Sequence, residues 1–328
     1  MESQKNSNAL TWLFSGEDGS FSHGDFSLTR YFEDEFLNNI QVKQPHRFRV
    51  VFDEVDFDAV SSWLNHLNQD CSVAVLMRHN ELKGFEIASS SRLAQLIECF
   101  PIDSNAELFE VTQALPSIFK PGLLVMDMDS TAIQIECIDE LAAMAGVGEA
   151  VSEVTERAMQ GELDFEESLR LRVSKLAGAS DSIINQLCQD LPLMPGLESI
   201  VAELKPNDWK LVLASGGFTP FVGHLKDLLG LDAAYANELV IEDGKLTGEV
   251  TGEVVDAQYK ADVIDKSAVK WQIAAGQQVA IGDGANDIPM VKAADYGIAF
   301  HAKPKLLAAS NASIQRLDLR CLVFHLQG

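Results

Sequence analysis

Asp127 and Asp129 stand two residues apart in DMDST, directly after the apolar run GLLVM. In nearly extended chain that spacing turns both carboxylates the same way. Asp283 and Asp287 lie in GDGAND after the run QVAI, and Ser215-Gly216-Gly217 follows WKLVLA. If the four carboxylates converge, several negative charges share one place and cannot all stay ionised without a cation. Hard oxygen ligands on a rigid edge, with room for water and phosphate, suit Mg²⁺. One aspartate after a strand serves as often to cap a helix, so the reading rests on three strand ends bearing such groups together. Ser215-Gly216-Gly217 offers a hydroxyl and bare N–H groups that could hold an anion ahead of a helix, although such a triplet is more often a plain turn. Lys260 opens a predicted helix, where an ammonium would neutralise a transferring phosphoryl group. A lone lysine is usually just solvated.

These residues need strands to place them. GLLVM, WKLVLA, QVAI and YGIAF are short continuous apolar runs, as expected of strands covered on both faces. Helical patterns at 260–275 and 286–294 lie between them. The alternation predicts an α/β domain over 120–328 with a doubly wound, mostly parallel sheet, whose ligands bind beyond the carboxyl ends of the strands. Residues 137–190 contain no strand-like run and should form a helical cap. Residues 242–255, with an Asp-Gly turn, read as a hairpin.

The first part of the chain differs. Residues 1–44, with acidic clusters at Glu17-Asp18 and 33–35, read as an irregular arm folded in part around Trp12, Phe14 and Phe36. Strand patterns at 46–52, 71–77, 82–87 and 108–111 alternate with helical spacing at 56–69 and at 90–100 (Leu93, Leu96, Ile97 and Phe100). The order β-α-β-β-α-β over 45–115 is that of a ferredoxin-like α+β unit. The segment from Pro116 to Pro121 marks the boundary.

With 328 residues, the chain has room for about two domains. Its 49 acidic against 25 basic residues give a formal charge of −24, unsuited to general binding of nucleic acid or an anionic bilayer. No apolar run is long enough to span a membrane, and no secretory signal is visible. The five cysteines are scattered without a CxxC pair. That argues against a disulfide framework or zinc site and for the cytoplasm.

DMDST, SGG, Lys260 and GDGAND together resemble the four motifs of the haloacid dehalogenase superfamily of phosphatases, from about residue 120 to the C-terminus. Glu136, IDE at 138–140, EVTERAMQGELDFEESLRLRV at 153–173, ASGGF at 214–218, NEL at 237–239 and GEV at 252–254 bring the resemblance closer, to the phosphoserine phosphatase family. The N-terminal extension is similar to that of the gamma-proteobacterial members. The resemblance implies Mg²⁺-dependent hydrolysis of O-phospho-L-serine, the last step of serine biosynthesis, through an aspartyl-phosphate. It implies Asp127 as nucleophile and Asp129 as general acid and then base. Asp127, Asp129 (through its carbonyl) and Asp283 would hold the metal, with Asp287 close behind. Ser215, Gly216, Lys260 and Asn286 would bind the phosphate region, and Glu136 and Arg172 the amino acid end. Met159, Phe165 and Leu169 are expected mainly to pack the cap, although the resemblance implies a Met and a Phe at these positions near the pocket, and Thr131 is expected to hold the first loop. His224 and His301 read as incidental.

A phosphomonoester dianion repels an anionic nucleophile, so positive charge must offset that repulsion. A serine alkoxide is a poor leaving group, so a neighbouring acid must supply a proton. Glu136 and Arg172 are the smallest pair that matches an ammonium and a carboxylate, although without the resemblance they read as a surface pair. Three alternatives stand beside the hydrolase. One is phosphoryl transfer to homoserine or attack on another small phosphomonoester. Another is a phosphoaccepting receiver module, which the cap and Asp129 disfavour. The last is a cation pump, which the lack of a membrane segment disfavours. The N-terminal domain resembles ACT-type modules, which would suit serine binding or homodimer formation, against simple packing.

Overall fold

The computed structural model describes residues 8–16, 19–24, 26–40, 44–92, 94–101 and 103–328. The chain forms two compact units, Met1–Phe119 with Ile314–Gly328, and Lys120–Ser313.

The first unit runs α1 (Ala9–Ser15), β1 (Ser20–His23), β2 (Phe26–Tyr31), α2 (Glu33–Ile40), β3 (His46–Phe52), α3 (Phe57–Leu64), β4 (Cys71–Leu76), β5 (Lys83–Ser89), α4 (Ala94–Glu98) and β6 (Ala106–Glu110). Its six strands are ordered β1-β2-β4-β5-β3-β6. Only β2 and β4 pair in parallel. On one face Phe48, Val50 and Phe52 alternate inward against Trp12, Trp63, Phe85 and Ile87, the period of two expected of a strand.

Two expectations are corrected here. Where it is described, between residues 8 and 40, the N-terminal stretch is not an irregular arm. Asn8 caps α1 through its side chain, and β1 and β2 extend the sheet with Phe21, Phe26 and Leu28 buried. Glu17-Asp18 and Leu93 lie outside the described residues. The second correction concerns 120–328, because the last fifteen residues belong to the first unit. The cause is Arg49, which is fully buried on β3. Its guanidinium donates to Glu86 Oε2 at 2.7 Å, to the carbonyls of Phe324 and Leu326 at 2.7 and 2.6 Å, and to Gln327 Oε1 at 3.1 Å. A buried charge needs such partners, and the tail supplies most of them. Gly84 leaves room for the Phe324 ring, which a Cβ would strike at 2.5 Å.

The second unit runs β7 (Leu123–Met126), α5 (Cys137–Met144), α6 (Gly148–Met159), α7 (Phe165–Ser174), α8 (Ser182–Gln189), α9 (Leu197–Leu204), β8 (Lys210–Phe218), α10 (Thr219–Leu229), β9 (Ala233–Glu242), β10 (Lys245–Thr251), α11 (Ala257–Trp271), β11 (Gln278–Gly282), α12 (Ile288–Ala293), β12 (Tyr296–Phe300), α13 (Pro304–Leu307) and β13 (Ala312–Ile314). The sheet order is β10-β9-β8-β7-β11-β12-β13. The five strands from β9 to β12 are parallel, and β10 returns antiparallel to β9. Asp243 and Gly244 make that turn with φ of 50° and 73°, the two positive values of a tight hairpin. The central strands are buried on both faces, with helices α11 and α12 packed into the same core. The chain winds from β7 outward through β8 and β9, then returns to β11 on the other side. That reversal opens a crevice at the carboxyl ends of β7 and β11. Helices α5 to α8 form the insert that covers it. Among the described residues no helix is long and apolar enough to cross a membrane, and all five cysteines are free.

Candidate active site

Asp127 is the first residue past β7 and only 4% exposed. Its Oδ1 accepts from Lys260 Nζ at 2.7 Å and from the Met128 N–H at 2.7 Å, which leaves Oδ2 free of those two contacts. Lys260, one turn into α11, is buried and also donates to Asp287 Oδ1 at 2.8 Å. Asp287 Oδ2 takes the N–H groups of Asp283 and Gly284 at 3.2 and 3.1 Å. Asp287 therefore folds back over the end of β11. Gly282 permits this, since a Cβ there would run into the Asp287 carboxyl.

The charges do not balance. Burial and the neighbouring Asp287 push the Asp127 carboxyl well above the usual carboxylate range, against the pull of Lys260. Burial also works against the Lys260 charge, yet Asp127 and Asp287 outweigh it and hold the ammonium charged. Asp283 is pushed up to about 6 by burial, Asp287 and Glu136. Asp127, Asp283 and Asp287 each present a carboxylate oxygen within 4.8 Å of the others. Three carboxylates facing one ammonium, with hard oxygen donors at a rigid sheet edge, fit a divalent cation. Asp287 already serves Lys260 and two N–H groups, so Asp127 and Asp283 are the better placed to ligate.

Asp129 lies two residues on. Its Oδ1 accepts the Cys137 N–H at the start of α5, at 3.0 Å. Its Oδ2 lies beside Gly217, where a Cβ would sit 3.0 Å away. Burial first, and then Glu136, raise its pKa to about 7, against the Cys137 N–H. A carboxyl poised there can hold or release a proton near neutrality. Directly after Asp129, Ser130 takes a left-handed φ of 56° and its Oγ donates to Glu136 Oε1 at 2.8 Å. A non-glycine residue in that region costs about 1–2 kcal/mol, and strain of this kind collects at functional loops.

One cavity of about 320 Å³ gathers Asp127, Asp129, Glu136, Arg172, Gly216, Asp283 and Asn286. Helix α7 supplies Arg172 across the opening. Burial lowers its pKa, while Asp139, Glu136 and Asp129 oppose the fall. Its Nε is buried without a hydrogen-bond partner, an orphaned donor that a bound carboxylate would satisfy. Ser215, Lys260 and Asp287 are not on the cavity wall. They lie fully buried behind it, with the Ser215 Oγ accepting the Gly217 N–H at 2.9 Å. The Ser-Gly-Gly is the bulged end of β8, and α10 begins directly after Phe218.

Sequence reasoning missed several contributors. Leu169, expected mainly to pack the cap, lines the cavity beside Phe165, which the resemblance already puts near the pocket. A Cβ on Gly216 would come within 3.0 Å of the Phe165 ring, so the cap is closed onto the strand end. Met159, expected in the cap packing, is 78% exposed. Asn237 is buried and donates to the carbonyls of Gly216 and Gly217 at 2.8 and 3.3 Å, while accepting the Val255 N–H at 2.9 Å. It pins the bulge, and an asparagine inside an apolar strand was the available sign. Thr131 is buried within the first loop.

A parallel α/β sheet with clustered carboxylates, a bridging lysine and a helical cap at its switch point is the arrangement of a haloacid dehalogenase-like hydrolase. The haloacid dehalogenase-like hydrolase family matches residues 122–295, just over half of the chain, and the chain belongs to that family. It is 57% identical over 203 residues to the phosphoserine phosphatase of Vibrio cholerae serotype O1, a match spanning 62% of each chain. It is also similar to the unliganded crystal structure of a probable phosphoserine phosphatase from Vibrio cholerae, with TM-score 0.73, 44% identity and coverage of 90% of this chain and 91% of that one. A structure titled as a phospho-aspartyl intermediate analogue of phosphoserine phosphatase aligns with TM-score 0.59 and 42% identity, over 63% of this chain and 99% of that one.

Proposed function

We propose that the chain is a phosphoserine phosphatase that hydrolyses O-phospho-L-serine with Mg²⁺ at the Asp127–Asp283 carboxylates. The observation that carries the substrate is the orphaned Arg172 Nε in the cavity that Glu136 and Asp127 also line. Arg172 takes the substrate carboxylate and Glu136 its ammonium, which sets the phosphorus against Asp127. The relatives named above support the same reading.

Asp127 Oδ2 attacks phosphorus while Lys260 holds Oδ1 and fixes the attacking angle. Asp129 gives its proton to the departing serine oxygen, so the leaving group departs as an alcohol. The aspartyl-phosphate is then opened by water, from which Asp129, now a carboxylate, takes a proton. Mg²⁺ held by Asp127 and Asp283 would supply charge neutralisation for the phosphoryl group. Asn286 and the N–H of Gly216 orient its oxygens. Ser215 shapes the bulge through Gly217. Phe165 and Leu169 keep water from the closed site, which strengthens each charge interaction in it.

The test is substrate profiling. Arg172→Ala should cut kcat/KM for phosphoserine at least about a hundredfold, as a buried charged contact is lost. Its activity on p-nitrophenyl phosphate should stay within about threefold. Equal losses on both substrates would remove Arg172 from the amino acid contact.

For the first unit, the order β6-β3-β5-β4 supports a ferredoxin-like core related to ACT-type modules, with β1 and β2 added at its edge. Serine binding or homodimer formation by that unit is part of the proposal. Calorimetry of the whole chain with serine and sedimentation test the two roles.

A further inference from the structure

We propose that Lys303 is the cation that captures the phosphate dianion at the mouth of the cavity, a role that rests on the phosphomonoester reading above. The cavity wall carries four carboxylates, those of Asp127, Asp129, Glu136 and Asp283, but only two cationic side chains, Arg172 and Lys303. The Lys260 ammonium lies behind the wall, already bridged to Asp127 and Asp287. Arg172 is set among Asp139, Glu136 and Asp129 and suits the amino acid end. Lys303 is exposed, and among the described residues no ion pair or hydrogen bond engages its ammonium.

Its position is built in. After β12 the chain turns through His301 in the left-handed region, at φ 44°. The Lys303 N–H then donates to the Asp283 carbonyl at 3.4 Å, and Pro304 starts α13 directly after it. The proline ring restricts the Lys303 backbone to extended values, and φ −71° with ψ 156° agrees. A strained turn, a bond to the acidic loop and a proline thus hold one lysine at the cavity edge.

The need for it follows from charge. The chain carries −24, and an incoming phosphomonoester is itself an anion. A cation at the mouth of a low-dielectric cleft raises local anion concentration and encounter rate, by about 10- to 1,000-fold across known cases. That help is screened beyond about 10 Å at 0.1 M salt. Lys303 therefore acts on capture, and its effect should fade as salt is added. Lys260 acts on the nucleophile, and its effect should not.

Steady-state kinetics on the whole Mg²⁺-loaded chain, with O-phospho-L-serine and p-nitrophenyl phosphate in parallel, test this at low and high salt. In Lys303→Gln, kcat/KM should fall about tenfold on phosphoserine at low salt, with kcat changed by less than about twofold. The deficit should shrink to about twofold near 0.5 M salt. Lys303→Arg should restore capture at both salts. A deficit that ignores salt, one that falls on kcat, or none at low salt would overturn the role. If the unaltered chain turns over the aryl phosphate but not phosphoserine, the substrate reading fails. The Lys303 arm is then still read on the aryl phosphate.

Discussion

Asp127 and Asp129 are two residues apart, yet their surroundings divide their work. The first is bound at one oxygen by a buried ammonium, which leaves the other oxygen for the attack proposed above. The second meets one backbone N–H and the Glu136 charge, and holds a proton near neutrality. Ser130 adds a subtler task, because its bond to Glu136 sets the group proposed to read the substrate ammonium. Ser130→Ala keeps the left-handed backbone but removes that bond. It should raise KM for phosphoserine about tenfold, the worth of one hydrogen bond to a charged group, and leave KM for p-nitrophenyl phosphate unchanged. A rise on both substrates would make Ser130 a loop support only.

At the scale of elements, the strand ends that place the chemistry were legible because buried parallel strands are continuously apolar and end abruptly. Asp127 and Ser215 follow such runs directly, and Asp283 follows one after Gly282. The N-terminal strands were harder to see. FSLTRY at 26–31 alternates over only one full period before Arg30, and SFSH is four residues long. The tail was not legible at all, since Arg49 and its acceptors on Phe324 and Leu326 are 275 and 277 residues apart. That tail also carries a pH signature. His325 is buried, stacked on Phe109 with ring centroids 3.8 Å apart, and burial and Arg49 push its pKa down to about 3. An unfolded histidine titrates near about 6.5, so as pH falls the unfolded chain takes up the proton first. Stability that is complete above about pH 6.5 is then lost as pH falls toward about 3, by up to about 1.4 kcal/mol per pH unit. Amide exchange in β3 from pH 7 to 4 should report it, and His325→Phe should remove that part of the slope. An unchanged slope would assign the loss to other groups.

Across the whole molecule, the fold places two kinds of chemistry at one sheet edge. In the proposed reading, phosphoryl groups meet Asp127 and the acidic loop, with Lys260 behind them, and the amino acid end meets the cap. The separation explains why the four sheet-edge motifs were readable as phosphoryl chemistry, whereas Leu169 and Lys303 were not and Phe165 was placed near the pocket by the resemblance alone. The last three earn their place only through closure of the cap and the turn after β12, which no local spacing reveals. The measurement closest to the central claim is phosphate release from O-phospho-L-serine by the purified chain, with Mg²⁺, with EDTA, and in Asp127→Asn. Turnover with Mg²⁺ that is abolished by EDTA, restored by Mg²⁺ and reduced at least about a thousandfold in the variant is the expected result. Turnover of phosphoserine that survives either EDTA or Asp127→Asn would contradict the account.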